Sequence, residues 1–153
     1  MNIRPYIAVL LLTLFSLTSL HAQESEEELN AQALELFQQE DYEEASKLYS
    51  TLLSINLQSA EYNYRFGVCQ LFTIQDKEEP IKYLKFATEQ QDVPPLAYFY
   101  YGLGLHLNYR FDKAIEQYEK YKPLSSKKAI AFSFNLPLLG KPIVIKSFIN
   151  YLD

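Results

Sequence analysis

Apolar residues recur at intervals of three and four residues through the middle of the chain, which is the spacing of one face of an α-helix. The first such face consists of Leu29, Ala33, Leu36 and Phe37, and the second of Ala45, Leu48, Tyr49, Leu52 and Leu53. Similar rows continue through Tyr62, Phe66 and Cys69; Ile81, Leu84 and Ala87; Tyr98, Tyr101 and Leu105; and Ala114, Ile115, Tyr118 and Tyr121. The pattern predicts six helices arranged as three hairpins.

These rows repeat with a period of about 35 residues. Gly67 and Gly102 occupy equivalent positions, and Ala45, Pro80 and Ala114 repeat the interval. A small residue at the first of these positions would let two antiparallel helices approach closely. Because one such unit cannot bury its own apolar face, the period predicts a stack of units that forms a short solenoid.

Polar segments between the rows carry helix start signals. Asp41 and Asp76 can each cap a helix, and Glu44 and Glu79 follow three residues later, where the acid of a capping box belongs. Pro80 stands where the other two units have alanine. Since proline is tolerated only in the first turn of a helix, we expect the second helix of the middle unit to begin one residue late.

The residues resemble the tetratricopeptide repeat (TPR) family, whose 34-residue unit has a small residue in helix A and an alanine followed by an aromatic residue in helix B. The third unit matches best, and the likeness covers roughly residues 26–128. The resemblance implies an all-α fold of three TPR-like hairpins in a short right-handed solenoid, with units at about 26–59, 60–94 and 95–128.

Parts of the sequence are also similar to the amino-terminal TPR module of certain Gram-negative cell-envelope proteins. The likeness rests on EYNYRFGVC at residues 61–69, DVPP at 92–95 and HLNYRFD at 106–112. In longer members of that group the module continues into propeller-like repeats and an OmpA-like peptidoglycan-binding domain. The resemblance implies an assembly at the outer membrane or the peptidoglycan.

The two ends of the chain differ from the repeats. Residues 1–22 have a basic start, an apolar run from Tyr6 to Leu20 and a small residue at Ala22, which is typical of a secretory signal peptide. The apolar run is shorter than the roughly 20 residues of a membrane-spanning helix. Residues 129–153 form an apolar tail with Pro137, Gly140 and Pro142. We interpret this tail as the product of a frameshift or, alternatively, as a genuine segment that folds over the repeat domain at 23–128.

The charge balance and the few reactive residues limit the classes of function that the sequence allows. Residues 23–128 contain 18 acidic and 11 basic side chains, a balance that disfavours nucleic acid as a partner. His106 stands in no recognisable relation to a serine, cysteine or carboxylate, and Cys69 lies deep in a helical pattern. We therefore expect no enzymatic activity, no cofactor and no metal site.

The TPR resemblance also implies a binding groove along the successive A helices. Its expected positions are Asn30, Leu34, Phe37, Tyr64, Val68, Leu71, Phe99, Leu103 and His106. These residues are mostly apolar, so the expected ligand is an extended or helical apolar segment of a protein or peptide partner. Packing between repeats is the alternative role for the same side chains.

The sequence thus predicts an exported, non-catalytic scaffold of the periplasm or outer membrane. Two alternatives remain at this stage. One is a truncated, non-functional fragment of a larger OmpA-like envelope protein. The other is an accessory module of an envelope enzyme or secretion machine.

Overall fold

The computed structural model describes residues 26–124, and every regular element in that range is helical. Helix α1 covers 26–38, and the elements that follow are α2 (Tyr42–Ile55), α3 (Ala60–Thr73), α4 (Glu78–Thr88), α5 (Pro95–Leu107), α6 (Phe111–Tyr121) and a 3-10 turn (Lys122–Leu124). The prediction of three TPR-like hairpins in an all-α fold is confirmed. The expected signal peptide at 1–22 and apolar tail at 129–153 lie outside the described residues.

The second and third hairpins each have a glycine where their two helices pack most closely, as the repeat pattern predicts. A Cβ atom added at Gly102 of α5 would lie 2.7 Å from Cε1 of Tyr118 in α6. A Cβ atom added at Gly67 of α3 would lie equally close to Cγ of Leu84 in α4. Since such distances are far shorter than van der Waals contact, the two glycines are what permit these helices to pack as they do.

Helix α3 is packed on two sides. Phe66 and Cys69 belong to a cluster with the first hairpin, in which Tyr49 and Leu52 are fully buried. Tyr64, Val68 and Leu71 of the same helix belong to a second cluster that extends through the third hairpin. The apolar residues of α3 therefore join the three hairpins into one body.

The turns inside the first and third hairpins have the same geometry. Glu40 and Tyr109 both adopt positive φ, at 60° and 59°. In the third hairpin Tyr109 N donates to His106 O at 3.0 Å and Arg110 N donates to Leu105 O at 2.9 Å. This pair of bonds is a Schellman motif, whose left-handed position is usually occupied by glycine. The first hairpin repeats it with Glu40 and Asp41.

The turn inside the second hairpin is different. Ile74 has a φ of −102°, and α3 ends there without a left-handed residue. Lys77 instead donates from Nζ to the carbonyl oxygens of Leu71, at 2.8 Å, and Ile74. Burial of this side chain lowers the pKa of Lys77. A side chain thus satisfies the Leu71 carbonyl, whose counterparts at Leu36 and His106 accept from backbone amides.

The start of α4 confirms the expected effect of Pro80. Helix α4 begins two residues before Pro80, whereas α2 and α6 begin three residues before Ala45 and Ala114. Pro80 lies in the first turn, where a helix makes no use of the missing N–H group. None of the described helices is long and apolar enough to cross a bilayer.

The predicted capping boxes are formed only in part. Asp41 caps α2, and its Oδ1 accepts from Glu44 N at 3.3 Å. The prediction that Asp76 caps α4 is wrong: the N-cap is Lys77, and Asp76, one residue earlier, accepts from Glu78 N at 2.9 Å. The acids expected to complete the boxes have other partners: Glu44 pairs with Lys47 at 2.5 Å and Glu79 with Lys82 at 2.6 Å. A lysine three residues further along each helix offers these carboxylates an ionic partner.

Candidate functional site: an apolar cleft along the A helices

Residues from α1, α3 and the start of α5 border a cleft of about 450 Å³. This volume falls in the range of roughly 300–1,000 Å³ that ligand sites occupy. The residues that line the cleft are Leu34, Phe37 and Gln38 from α1; Glu61, Tyr64 and Arg65 from α3; Pro94, Pro95 and Leu96 around the start of α5; and Tyr121 and Leu124 at the carboxyl end of the described region. We call this set the cleft residues.

Aromatic rings fix the floor of the cleft. The Phe37 ring meets the rings of Tyr42, Tyr49 and Tyr64 in edge-to-face contacts, with centroid separations of 5.6, 6.2 and 6.3 Å. Such contacts stabilise defined ring orientations in addition to burying apolar area. Tyr64 is almost fully buried beneath the cleft, and burial raises the pKa of its hydroxyl well above the usual value. This floor therefore consists of packed aromatic rings that carry no charge of their own.

Arg65 is the cation among the described cleft residues, and its charge is already paired. Its guanidinium donates to the Glu61 carboxylate, one helical turn earlier on α3. It also lies over the Phe37 ring, with Cζ 5.2 Å from the ring centroid. A ligand carboxylate would have to compete with Glu61 for this group, so the available chemistry of the cleft is chiefly apolar.

The structure brings three of the nine expected groove residues together at the cleft: Leu34, Phe37 and Tyr64. Leu34 and Phe37 are partly exposed. Asn30 is also partly exposed on α1 but does not line the cleft. His106 lies at the opposite end of α5 from Pro95, where its ring makes an edge-to-face contact with Phe111 at 5.2 Å.

The other four expected residues lie in the packed interior. Val68 has no exposed surface and Phe99 is 3% exposed, while Leu71 and Leu103 are also buried in the cluster that joins the second and third hairpins. Phe99 is covered by Tyr118 and Tyr121 of α6, whose ring centroids lie 5.7 and 5.6 Å from its own. In the described structure these four side chains are therefore part of the packed core.

Several cleft residues were not among the expected positions. Leu96 is 38% exposed and Leu124 is 54% exposed, so both present apolar surface at the rim. Pro94, Pro95 and Leu96 surround the start of α5, and Tyr121 and Leu124 belong to the end of the third hairpin. The Pro-Pro pair of residues 94 and 95 was visible in the sequence, but nothing in the helix A repeat positions points to helix ends.

A second cleft, of about 420 Å³, adjoins the first and is polar. It is bordered by the loops that precede α3 and α5, and its lining residues are Gln58, Ser59, Ala60, Glu61, Gln90, Gln91 and Asp92. Glu61 borders both clefts. A ligand that extends out of the apolar cleft on this side would therefore meet amide and carboxylate groups.

Burial shifts the pKa of two side chains of the described region that carry potentially reactive groups, Cys69 and His106. Burial raises the pKa of the Cys69 thiol to about 12, which disfavours the thiolate. Burial lowers the pKa of His106. Within residues 26–124 no three His, Cys, Asp or Glu side chains are grouped so that they could hold a metal ion. The cleft thus offers shape and apolar surface as its recognition chemistry.

Solved structures with a similar fold support the TPR assignment. MamA aligns with a TM-score of 0.59 and 26% identity over 71% of this chain, and the match spans 62% of the MamA chain. SycD, the type III secretion translocator chaperone of Yersinia enterocolitica, aligns at 0.60 and 16% identity over 80% of this chain and 93% of its own. That SycD structure contains a peptide of the translocator YopD.

No protein-family model and no curated protein matches the chain. The structural neighbours are TPR-like helical-repeat proteins, and the chain has a TPR-type fold. At the low identity to SycD, the likeness shows the fold alone.

Proposed function

We propose that this protein is a non-catalytic interaction module that holds an apolar segment of a partner protein in the cleft. The observation that carries the proposal is the combination of an aromatic floor at Phe37 and Tyr64 with two leucines that keep exposed surface at the cleft, Leu34 of α1 and Leu96 at the start of α5. The pairing of Arg65 with Glu61 removes the obvious means of binding an acidic ligand. SycD, which shares the fold, is an example of such a chain with a bound peptide.

The expected ligand is a short segment with two or three large apolar side chains. Each Leu, Ile, Val or Phe side chain that is buried fully contributes about 1.5–3 kcal/mol. The cost of immobilising the segment offsets much of this gain, so we expect micromolar rather than nanomolar dissociation constants. A basic residue at the end of the segment that enters the polar cleft would be favoured, because Asp92 lines that cleft.

We propose that the protein acts in the periplasm or at the outer membrane, and that its partner is a cell-envelope protein. The support is the signal-peptide pattern of residues 1–22 and the resemblance of segments such as 61–69 to envelope proteins. The test is expression of the full chain in a Gram-negative host, followed by fractionation and mass measurement. Export predicts a product that begins at Gln23; an intact chain in the cytoplasmic fraction would contradict it.

The binding proposal is tested with peptides selected from a random 12-residue display library on the full chain. The selected sequences should be enriched in large apolar residues. Binding is then measured for the wild type, for Leu34→Asp with Leu96→Asp, and for the matched control Ile55→Asp with Leu57→Asp. Ile55 and Leu57 are also exposed aliphatic residues, but they lie outside the cleft.

The cleft variant should lose at least about tenfold in affinity, which corresponds to 1.4 kcal/mol, while the control variant binds as the wild type does. Circular dichroism should show equal helix content in all three proteins, because the substituted residues are partly or largely exposed. Equal affinity in both variants would place the peptide elsewhere and contradict the proposal.

A further inference from the structure

The polar cleft and the apolar cleft share two walls. The start of α3 forms one wall: Ala60 and Glu61 line the polar cleft, and Glu61 and Tyr64 line the apolar one. The connection from α4 to α5 forms the other, because residues 90–92 line the polar cleft and residues 94–96 line the apolar one. A segment that leaves the apolar cleft along these walls therefore enters the polar cleft.

The polar cleft offers hydrogen-bond acceptors. Gln90 is partly buried and donates from Nε2 to Phe86 O at 3.2 Å, so its amide oxygen is the group most available to a ligand. Glu61 is paired with Arg65, but a carboxylate accepts at about four positions and this pairing does not use them all. Asp92 adds a second, exposed carboxylate. The polar cleft is thus suited to a group that donates several hydrogen bonds.

The negative charge of the polar cleft is not compensated at Asp92. Among the described residues that line this cleft there is no lysine or arginine. Asp92 takes part in none of the ion pairs within residues 26–124, whereas Glu61 has Arg65. The same residues carry 17 acidic and nine basic side chains, so the surrounding domain adds to the negative potential. The polar cleft therefore favours a cation and disfavours a ligand carboxylate.

The combination of charge and acceptors favours a guanidinium over an ammonium group. Arginine presents five N–H donors in a planar fork that matches a carboxylate, whereas the ammonium of lysine is a compact charge with three donors. Gln58, Gln90 and Gln91 place amide oxygens beside the carboxylates of Glu61 and Asp92. A cleft with this lining has more acceptors than an ammonium group can use.

The shared wall sets the spacing between the cation and the apolar side chains of a ligand. Ala60 in the polar cleft and Tyr64 in the apolar cleft are four residues apart on α3, which is about 6 Å along the helix axis. An extended segment rises about 3.3 Å for each residue, so about two residues cover this distance. One turn of a helical ligand, 10–12 Å wide, would occupy about 500 Å³, which exceeds the apolar cleft of about 450 Å³. The two clefts therefore fit an extended segment better than a helix.

From these observations we propose that the partner segment binds in an extended conformation, with an arginine two or three residues from its apolar side chains, and that Asp92 binds this arginine in the polar cleft. The inference rests on the proposed function, because it takes the apolar cleft to hold the rest of the segment. Asp92 then determines specificity: it distinguishes between equally apolar segments by the presence and position of an arginine. Because Asp92 is exposed, we expect this pair to contribute about three- to fivefold in affinity.

The first test is the sequence pattern of the peptides that the full chain selects from the display library. We expect most of the selected peptides to carry an arginine two or three residues from a pair of large apolar residues. An arginine four residues away is the spacing that a helical ligand would need. That spacing, or the lack of any fixed spacing, overturns the inference.

The second test is a double-mutant cycle between the peptide arginine and Asp92. The tightest selected peptide is compared with versions that carry citrulline or lysine in place of the arginine, on the full-length wild type and on Asp92→Asn. Citrulline has nearly the shape of arginine but no charge. It should weaken binding to the wild type about three- to fivefold and binding to Asp92→Asn much less, and lysine should restore only part of the loss. Equal citrulline effects on the two proteins, or equal affinities of the lysine and arginine peptides for the wild type, overturn the inference.

Asp112→Asn is the matched control, because Asp112 is also exposed but lies in the first turn of α6 and lines neither cleft. This variant should show the same citrulline effect as the wild type. High salt should reduce the effect, since the Debye length falls to about 3 Å at 1 M. Loss of the citrulline effect in Asp112→Asn, or an effect that salt does not reduce, overturns the inference. Glu61 is kept in every variant, because its substitution would release Arg65.

The same peptides distinguish a failure of this inference from a failure of the proposed function. If Leu34→Asp with Leu96→Asp weakens binding of the arginine peptide but Asp92→Asn does not, the inference alone has failed. If Leu34→Asp with Leu96→Asp leaves binding of that peptide unchanged, the proposed function itself has failed.

Discussion

The contact between α5 and α6 and the cleft between α1 and α5 use similar side chains with opposite results. At the first, Gly102 admits the Tyr118 ring so closely that no further atom fits between the helices. At the second, Leu34 and Leu96 border about 450 Å³ that the described side chains leave open. The comparison teaches that the repeated small residue lets the two helices of a hairpin pack without a gap. The space bordered by three different hairpins is not filled in this way and can remain available to a ligand.

Phe99→Ala and Leu96→Ala, three residues apart on α5, should separate the two regions most strongly. Phe99 is buried among Tyr100, Tyr118 and Tyr121, so its truncation should lower the free energy of unfolding by about 3–5 kcal/mol. Leu96→Ala should cost less than about 1 kcal/mol because this side chain is partly exposed. Urea denaturation of both variants provides the measurement. Similar decreases in the free energy of unfolding for the two variants would contradict the difference described between the two regions.

Gly102→Leu tests the close contact between α5 and α6 directly. The added side chain must displace the Tyr118 ring or separate α5 from α6, and overpacking of this kind costs about 1–3 kcal/mol or more. Glu116→Leu, on the exposed surface of α6, introduces the same residue and should change the stability by less than about 0.5 kcal/mol. Thermal unfolding compares the two proteins. A melting temperature for Gly102→Leu equal to that of the control would contradict the close packing.

The smallest effect is expected at the turns, away from both regions. Tyr109 is 82% exposed and has a positive φ, so Tyr109→Gly should raise the stability by up to about 1 kcal/mol by relieving a left-handed conformation. Ile74→Gly, at the equivalent place in the second hairpin, should lower it, because the φ of Ile74 is negative and glycine only adds freedom to the unfolded chain. Chemical denaturation of both variants measures whether the free energy of unfolding rises or falls. Changes of the same sign would show that the two turns do not differ as described.

Most of the fold could be predicted from the repeat period. The equivalence of Gly67 and Gly102 predicted the closed hairpins, and Pro80 predicted the late start of α4; both were confirmed. The bond from Lys77 to carbonyl oxygens was not predictable, because it depends on the path of the turn between α3 and α4, which has four residues where the other two hairpin turns have three. The period describes which residues are equivalent and not how an irregular turn satisfies its polar groups.

The site was predictable only in part. The helix A positions include Leu34, Phe37 and Tyr64, which do line the cleft. They also include Val68 and Leu103, which neighbouring helices cover, since a repeat position records the direction of a side chain and not what packs over it. Leu96 and Leu124 reach the cleft from helix ends, so no helical spacing indicates them. Tyr64→Ala or Phe99→Ala would therefore disturb the core rather than probe binding alone.

The central claim, that the cleft is the binding surface, is tested most directly by methyl-labelled leucine NMR of the full chain with a selected apolar peptide. We predict that the methyl signals of Leu34, Leu96 and Leu124 shift in proportion to the bound fraction. The signals of the fully buried Leu52 and Leu84, and of Leu57 on the exposed surface away from the cleft, should stay in place. Shifts centred on Leu57, or equal shifts at all six leucines, would contradict the account.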